Sequence, residues 1–142
     1  VIKYIIVITI LICCTNIWAG ETFGNFDNVE YVKNYDGDTI TFNIKNVHPL
    51  LGKKINIRVS GIDTPEIRGK CIKEKFRAQD AKFFVENMCR SAKKIDLRNI
   101  SRGKYFRILA DVYCDDVSIS KKLIDNQLAV IYNGGKKISW CD

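Results

Sequence analysis

Between Lys54 and Glu66 the chain alternates and then stops. Ile55, Ile57 and Val59 interleave with Lys54, Asn56 and Arg58, the period-two pattern of a strand buried on one face, so Arg58 points away from the core. Thr64-Pro65 ends the pattern, because proline cannot donate to a sheet ladder and holds the residue before it extended. Asp63 and Glu66 are therefore expected on a turn at the mouth of this strand, close to Arg58. A cation and two carboxylates within so short a stretch place unusual chemistry at a strand end.

The same periodicity organises the rest. Residues 20–28 read as an irregular lead-in and Val29–Lys33 as a first strand, followed by Asp36-Gly37, a strong hairpin signal. Ile40, Phe42 and Ile44 then alternate with Thr41, Asn43 and Lys45 in a second strand. His48, beside Pro49 in the next loop, reads as structural or solvated rather than catalytic. Phe76, Ala81, Phe84, Val85, Met88 and Ala92 fall at helical spacing, which predicts an amphipathic helix of about four turns with its aromatics in the core. Lys94–Arg98 reads as a fourth strand. A fifth follows the loop at Ser101–Lys104, with Phe106, Ile108, Ala110 and Val112 facing in and Arg107 facing out. Ser120 is the expected N-cap of a short helix over 121–126. Asn133–Lys137 reads as a polar turn, with Trp140-Cys141 docking back on the body.

Length bounds this to one domain with a real core: 142 residues with no repeat and no linker. The formal charge of +7 favours association with polyanions, nucleic acid or anionic membrane. Residues 1–19 carry Lys3, an apolar run from Tyr4 to Cys14 and a small-residue end at Ala19-Gly20, the pattern of a signal peptide. The run is short of the roughly 20 apolar residues that cross a bilayer. The expected organisation is a signal peptide over 1–19 and a single domain over 20–142, secreted or periplasmic, with a membrane-retained leader as the alternative. Export leaves four cysteines, Cys71, Cys89, Cys114 and Cys141, an even set for which disulfides are the leading reading and free thiols the alternative. Three connectivities exist; Cys71–Cys141 with Cys89–Cys114 is preferred, tying the chain's end to the loop after Glu66 and a helix end to a strand. No C-x-x-C pair is present and His48 is the single histidine, which argues against zinc.

The hairpin brings Asp36 and Asp38 to one end of the sheet, where a neighbouring strand can deliver Asp63. Three carboxylates there repel one another unless a cation sits between them. Oxygen-only donors suit calcium or magnesium. Arg58 and Arg107 each stand opposite the core face of a strand, and two guanidinium forks beside such a cluster can grip a phosphate diester.

Asp36-Gly37-Asp38-Thr39, Arg58 with Asp63-Thr64-Pro65-Glu66, the following helix and Lys104–Ala110 occur in this order. In order and spacing the chain resembles the staphylococcal nuclease-like (thermonuclease) family over about residues 29–132. The resemblance implies an α+β, mainly β fold: an OB-type five-stranded barrel with packed helices. It implies one calcium ion held by the carboxylates of Asp38 and Asp63 and the backbone carbonyl of Thr64, with Asp36 behind them. It also implies that Glu66 orients or deprotonates the attacking water, that Arg58 and Arg107 bind the phosphate, and that Lys104, Tyr105 and Tyr132 contact substrate. The activity implied is hydrolysis of DNA and RNA to 3′-phosphate ends with little base specificity, by a monomer without a stable protein partner. Where the family has a glycine after its short C-terminal helix this chain has Gln127, and Asn126 is the expected place for the turn. A non-catalytic nucleic-acid-binding barrel is the alternative, against which the complete charged set argues.

Overall fold

The computed structural model describes residues 20–142; the signal peptide expected over 1–19 lies outside them. Alternating residues build the strands β1 (Glu30–Asn34), β2 (Thr39–Asn43) and β3 (Ile55–Val59), with a short helix α1 (Pro49–Gly52) between the last two. His48 is structural: its ring nitrogen Nδ1 accepts from Leu50 N and caps α1. The chain continues through β4 (Ile62–Asp63), the long helix α2 (Ile72–Ser91), β5 (Ile95–Arg102), β6 (Ile108–Cys114), β7 (Val117–Ser118), α3 (Ile119–Asp125) and β8 (Val130–Ile131). The main sheet runs β1-β2-β3-β6-β5, antiparallel except for the parallel pair β3–β6, while β4 pairs with β8.

The segment read as an irregular lead-in closes this sheet. Phe23 N donates to Ile100 O (2.6 Å), Phe26 and Leu97 exchange bonds of 2.9 and 2.8 Å, and Val29 N donates to Ile95 O (2.9 Å). The edge of β5 is thus paired by the chain on its way into β1, and a closed barrel has no free edge to protect. Ile40, Phe42, Ile57, Val59, Leu97, Ala110 and Val112 fill the interior, each at most 1% exposed. Ala81 and Val85 of α2 and Ile119 and Leu123 of α3 pack against the same core. The result is an OB-type barrel with helices against it, mixed α+β.

Several local expectations are corrected. α2 is longer than four turns, and Phe76 (68% exposed) projects from it rather than entering the core, whereas Phe84, Met88 and Ala92 pack against the core as expected. Ala81, Val85 and Cys89 make the innermost contact with the barrel core. Phe106 does not face in. It stands 86% exposed at the tip of the β5–β6 hairpin, because β6 starts only at Ile108. The cap of α3 is Ser118, whose hydroxyl accepts from Lys121 N, and not Ser120. The left-handed turn after α3 falls on Gln127 (φ 58°), while Asn126 keeps negative φ.

Cys71 and Cys141 are joined in the structure, with Trp140 beside them buried. Cys89 and Cys114 are unbonded thiols, against the second expected bridge. Their sulfurs lie 3.8 Å apart, buried between α2 and β6, at the distance of a thiol hydrogen bond. That contact and burial push the Cys89 thiol far up, which disfavours the thiolate needed for oxidation.

Candidate active site

Register decides which side chains meet. Thr39 lies opposite Arg58 in the β2–β3 ladder, so Asp38, just outside β2, falls beside the end of β3, and its carbonyl accepts from Val59 N (2.8 Å). After Val59 the chain reverses at Ser60-Gly61, with Gly61 at φ 73°, a conformation open to glycine. Asp63 then lies in the short strand β4, paired with Val130 of β8, and not on the expected turn; Glu66 does lie in the loop beyond. Gly61 supplies the reversal assigned to Thr-Pro, and β8 supplies the partner that keeps Asp63 extended.

Arg58 is the hub. Its Nη1 pairs closely with Asp38 Oδ1, and its Nη2 contacts Asp63 Oδ1 (3.3 Å) and the carbonyl of Ile62 (3.2 Å). Asp38, Asp63 and Thr64 are each 1% exposed. Buried carboxylates of this kind persist only when paired, since an uncompensated one costs several kcal/mol, roughly 3–5 on breaking such a pair. Asp38 Oδ2 also accepts from Thr64 N (3.0 Å), which fixes the hairpin tip to the strand carrying Asp63.

Asp36 shapes the turn: its Oδ1 accepts from Asp38 N (3.1 Å) and Thr39 N (2.8 Å). Burial raises its pKa above the usual carboxylate value, against the opposing pull of the Thr39 N–H. Gly37 is required by contact, because a Cβ there would lie 2.9 Å from both Ala81 Cβ and Thr64 Cγ2. Helix α2 and Thr64 thus press on the loop that presents Asp38.

Arg107, exposed, and Leu109 share a face of the chain entering β6, and the β3–β6 register sets Leu109 beside Arg58. Arg58 and Arg107 consequently line one cavity of about 510 Å³, together with Lys104, Tyr132 and Lys137. Tyr132 donates its hydroxyl to Gly135 O (2.9 Å). Tyr105 is not among the lining residues. It projects at the hairpin tip beside Phe106, 89% exposed.

Lys137 was not foreseen. Its ammonium lies 2.8 Å from Asp63 Oδ1 and 2.7 Å from Glu66 Oε1. Partial burial works to lower its pKa, but these two carboxylates outweigh that and hold it above the ordinary lysine value. The signal was available in Cys141: bridging it to Cys71 forces the tail back across the loop containing Glu66.

The donors fit a hard divalent ion. Asp38 and Asp63 present buried oxygens, and Thr64 Oγ1 is buried without a hydrogen-bond partner among the described residues. Two protein cations already converge on these oxygens, as expected of a place that demands positive charge. A second grouping, Cys71, Glu74 and Cys141, is not comparable. Its sulfurs are joined to each other, and Glu74 accepts from Glu66 N (3.3 Å) and Lys70 N (2.9 Å), fastening the loop.

Comparison with curated proteins finds no match. The family described as staphylococcal nuclease homologue matches residues 56–139, leaving the hairpin of Asp36 and Asp38 outside the matched stretch. That stretch is more than half of the chain; it begins just before Arg58 and runs past Lys137, and the chain therefore belongs to the staphylococcal nuclease homologue family.

Proposed function

We propose that this protein is an exported, calcium-dependent nuclease that hydrolyses phosphodiester bonds of DNA and RNA with little sequence specificity, leaving 3′-phosphate ends. The observation that carries the reading is the convergence of Arg58, Asp38, Asp63 and Glu66 at one strand end, beside a cavity that Arg107 also lines. Asp38, Asp63 and Thr64 would hold the ion, which when bound supplies charge neutralisation at the phosphoryl oxygens and a more acidic water.

The chain's own groups do the rest. Arg58 and Arg107 bind the non-bridging oxygens and stabilise the charge that grows on them as water attacks. Glu66, whose side chain is 45% exposed, would take the proton of that water. The bond between phosphorus and the 5′ oxygen breaks, the departing oxygen takes a proton from solvent and leaves as a 5′ hydroxyl, and the phosphate stays on the 3′ side. Phosphate contacts hold no base information, so weak sequence preference follows. Tyr105 and Phe106 add aromatic faces for stacking at the hairpin tip. Export fits the joined Cys71 and Cys141.

Arg107→Ala tests the assignment, because Arg107 is exposed and makes little contribution to the core. Cleavage of single-stranded DNA should fall by about 100- to 1000-fold with an unchanged circular dichroism spectrum and melting temperature. Unchanged turnover would remove Arg107 from the chemistry. Retained DNA binding with no cleavage by the unaltered protein would instead make it a binding barrel.

A further inference from the structure

Beyond β8 the chain does not leave the molecule. Residues 133–142 turn at Gly134 (φ 94°) and cross back over the loop after Asp63, ending at Cys141 joined to Cys71 at the start of α2. Trp140 is buried beneath the Arg77 guanidinium, 5.1 Å from its ring centre, and Lys73 Nζ holds the carbonyl of Asp142. The strap is thus fastened at both ends: at its start Tyr132 N donates to Gly61 O (2.9 Å). Lys137 sits between these anchors.

We propose that Lys137 is a phosphate-contacting residue positioned by the Cys71–Cys141 bridge, and that without a divalent ion its ammonium pairs with Asp63, one of the two carboxylates that would receive the ion, and with Glu66. The proposal rests on the nuclease reading above and adds a third cation to the site.

Two observations carry it. Lys137 lines the same cavity as Arg58 and Arg107, and it also touches Asp63 and Glu66, so it stands between the phosphate side and the carboxylate side. Its side chain is 44% exposed, so the ammonium is not sealed into the carboxylate pocket. With a divalent ion on Asp63, the Lys137 ammonium would no longer be needed to neutralise that carboxylate and would be repelled from it at short range. The remaining polyanion within reach of the strap is the substrate backbone. Lysine serves this purpose as a mobile point charge, and the bridge limits how far it can stray.

The consequence is a pair of opposite effects that a merely structural residue would not produce. Calcium binding to the purified protein is measured by titration calorimetry, and cleavage of a short single-stranded oligonucleotide is followed across salt concentrations. Lys137→Gln should tighten calcium binding by about tenfold, because a competing charge is gone. The same variant should raise KM by roughly tenfold, with a much smaller change in kcat. Its slope of log(kcat/KM) against log salt should be shallower by about 0.7, one phosphate contact on a single strand. Lys137→Arg should restore KM and the slope. The double change Cys71→Ser with Cys141→Ser should raise KM in the same way.

Weaker calcium binding together with higher KM in Lys137→Gln would make the residue structural and overturn the proposal. Tighter calcium binding with unchanged KM and slope would leave a competitor for the ion and overturn the phosphate contact. If the unaltered protein neither binds calcium nor cleaves, the nuclease reading itself fails, and that result is distinct from any difference between variants.

Discussion

Gln127 adopts φ 58° at the end of α3, a left-handed conformation that costs a residue with a side chain roughly 1–2 kcal/mol. The surroundings leave it no choice. Leu128 N donates to Leu123 O and Gln127 N to Ile124 O, the paired bonds of a Schellman ending, whose left-handed position is usually glycine. Arg77 Nη2 adds a bond of 2.6 Å to the Gln127 carbonyl, a backbone contact that glycine would keep. Gln127→Gly should therefore raise unfolding free energy by about 0.5–1 kcal/mol in urea, the relief of strain less the added freedom of the unfolded chain. A loss of stability would show that the Gln127 side chain itself contributes. The sequence marks this position as one where glycine is missing, but it points to Asn126 as the place for the turn. Only the two capping bonds, which fix the count of residues from Leu123, show why the neighbour cannot take it.

Among the elements, the barrel's closing seam of backbone bonds is reinforced by a buried carboxylate. Asp96 on β5 accepts from Asn28 N (3.0 Å) in the closing segment and pairs with Lys94 Nζ (2.7 Å) and Arg98 Nη2 (2.9 Å). Burial acts to raise its pKa, yet Lys94, the Asn28 N–H and Arg98 together bring it below the usual carboxylate value. A carboxyl whose pKa is lowered by folding stabilises the folded state above the unfolded value of about 4, and that stability disappears as pH falls through the lowered native value. Asp96→Asn should accordingly destabilise the protein at pH 7, and the difference from the unaltered protein should shrink as urea unfolding is repeated at successively lower pH below 4. A constant difference across that range would assign the effect to packing. The strands themselves were legible: Ile40 and Phe42, and Ile57 and Val59, sit in the core as their alternation demands. The closing segment was not, because a single isolated bridge at Phe26 and spaced backbone bonds require no side-chain period. Phe106 misled for the opposite reason. It continues the period of Ile108 and Ala110, but the hairpin tip intervenes, with Tyr105 and Phe106 both at φ 58° and Arg107 N bonded to Lys104 O (3.3 Å).

For the whole molecule, the candidate site divides into a part written in short motifs and a part that depends on how the chain returns. Asp36, Asp38, Arg58, Asp63 and Glu66 lie within two strand ends, and the ladder between β2 and β3 suffices to bring Asp38 to Arg58. Arg107 required the parallel β3–β6 pairing, a long-range choice that alternation alone does not make. Lys137 required the tail to come back through the Cys71–Cys141 connection. The central claim is that these charges assemble a site that binds an ion and hydrolyses a phosphodiester. Cleavage of single-stranded DNA by the purified protein, in calcium and then with excess chelator, tests it most directly. The account predicts cleavage in calcium that stops with chelator, is lost in Asp63→Asn and leaves 3′-phosphate ends. Cleavage that continues in chelator, or none in either condition while DNA is still bound, would contradict it.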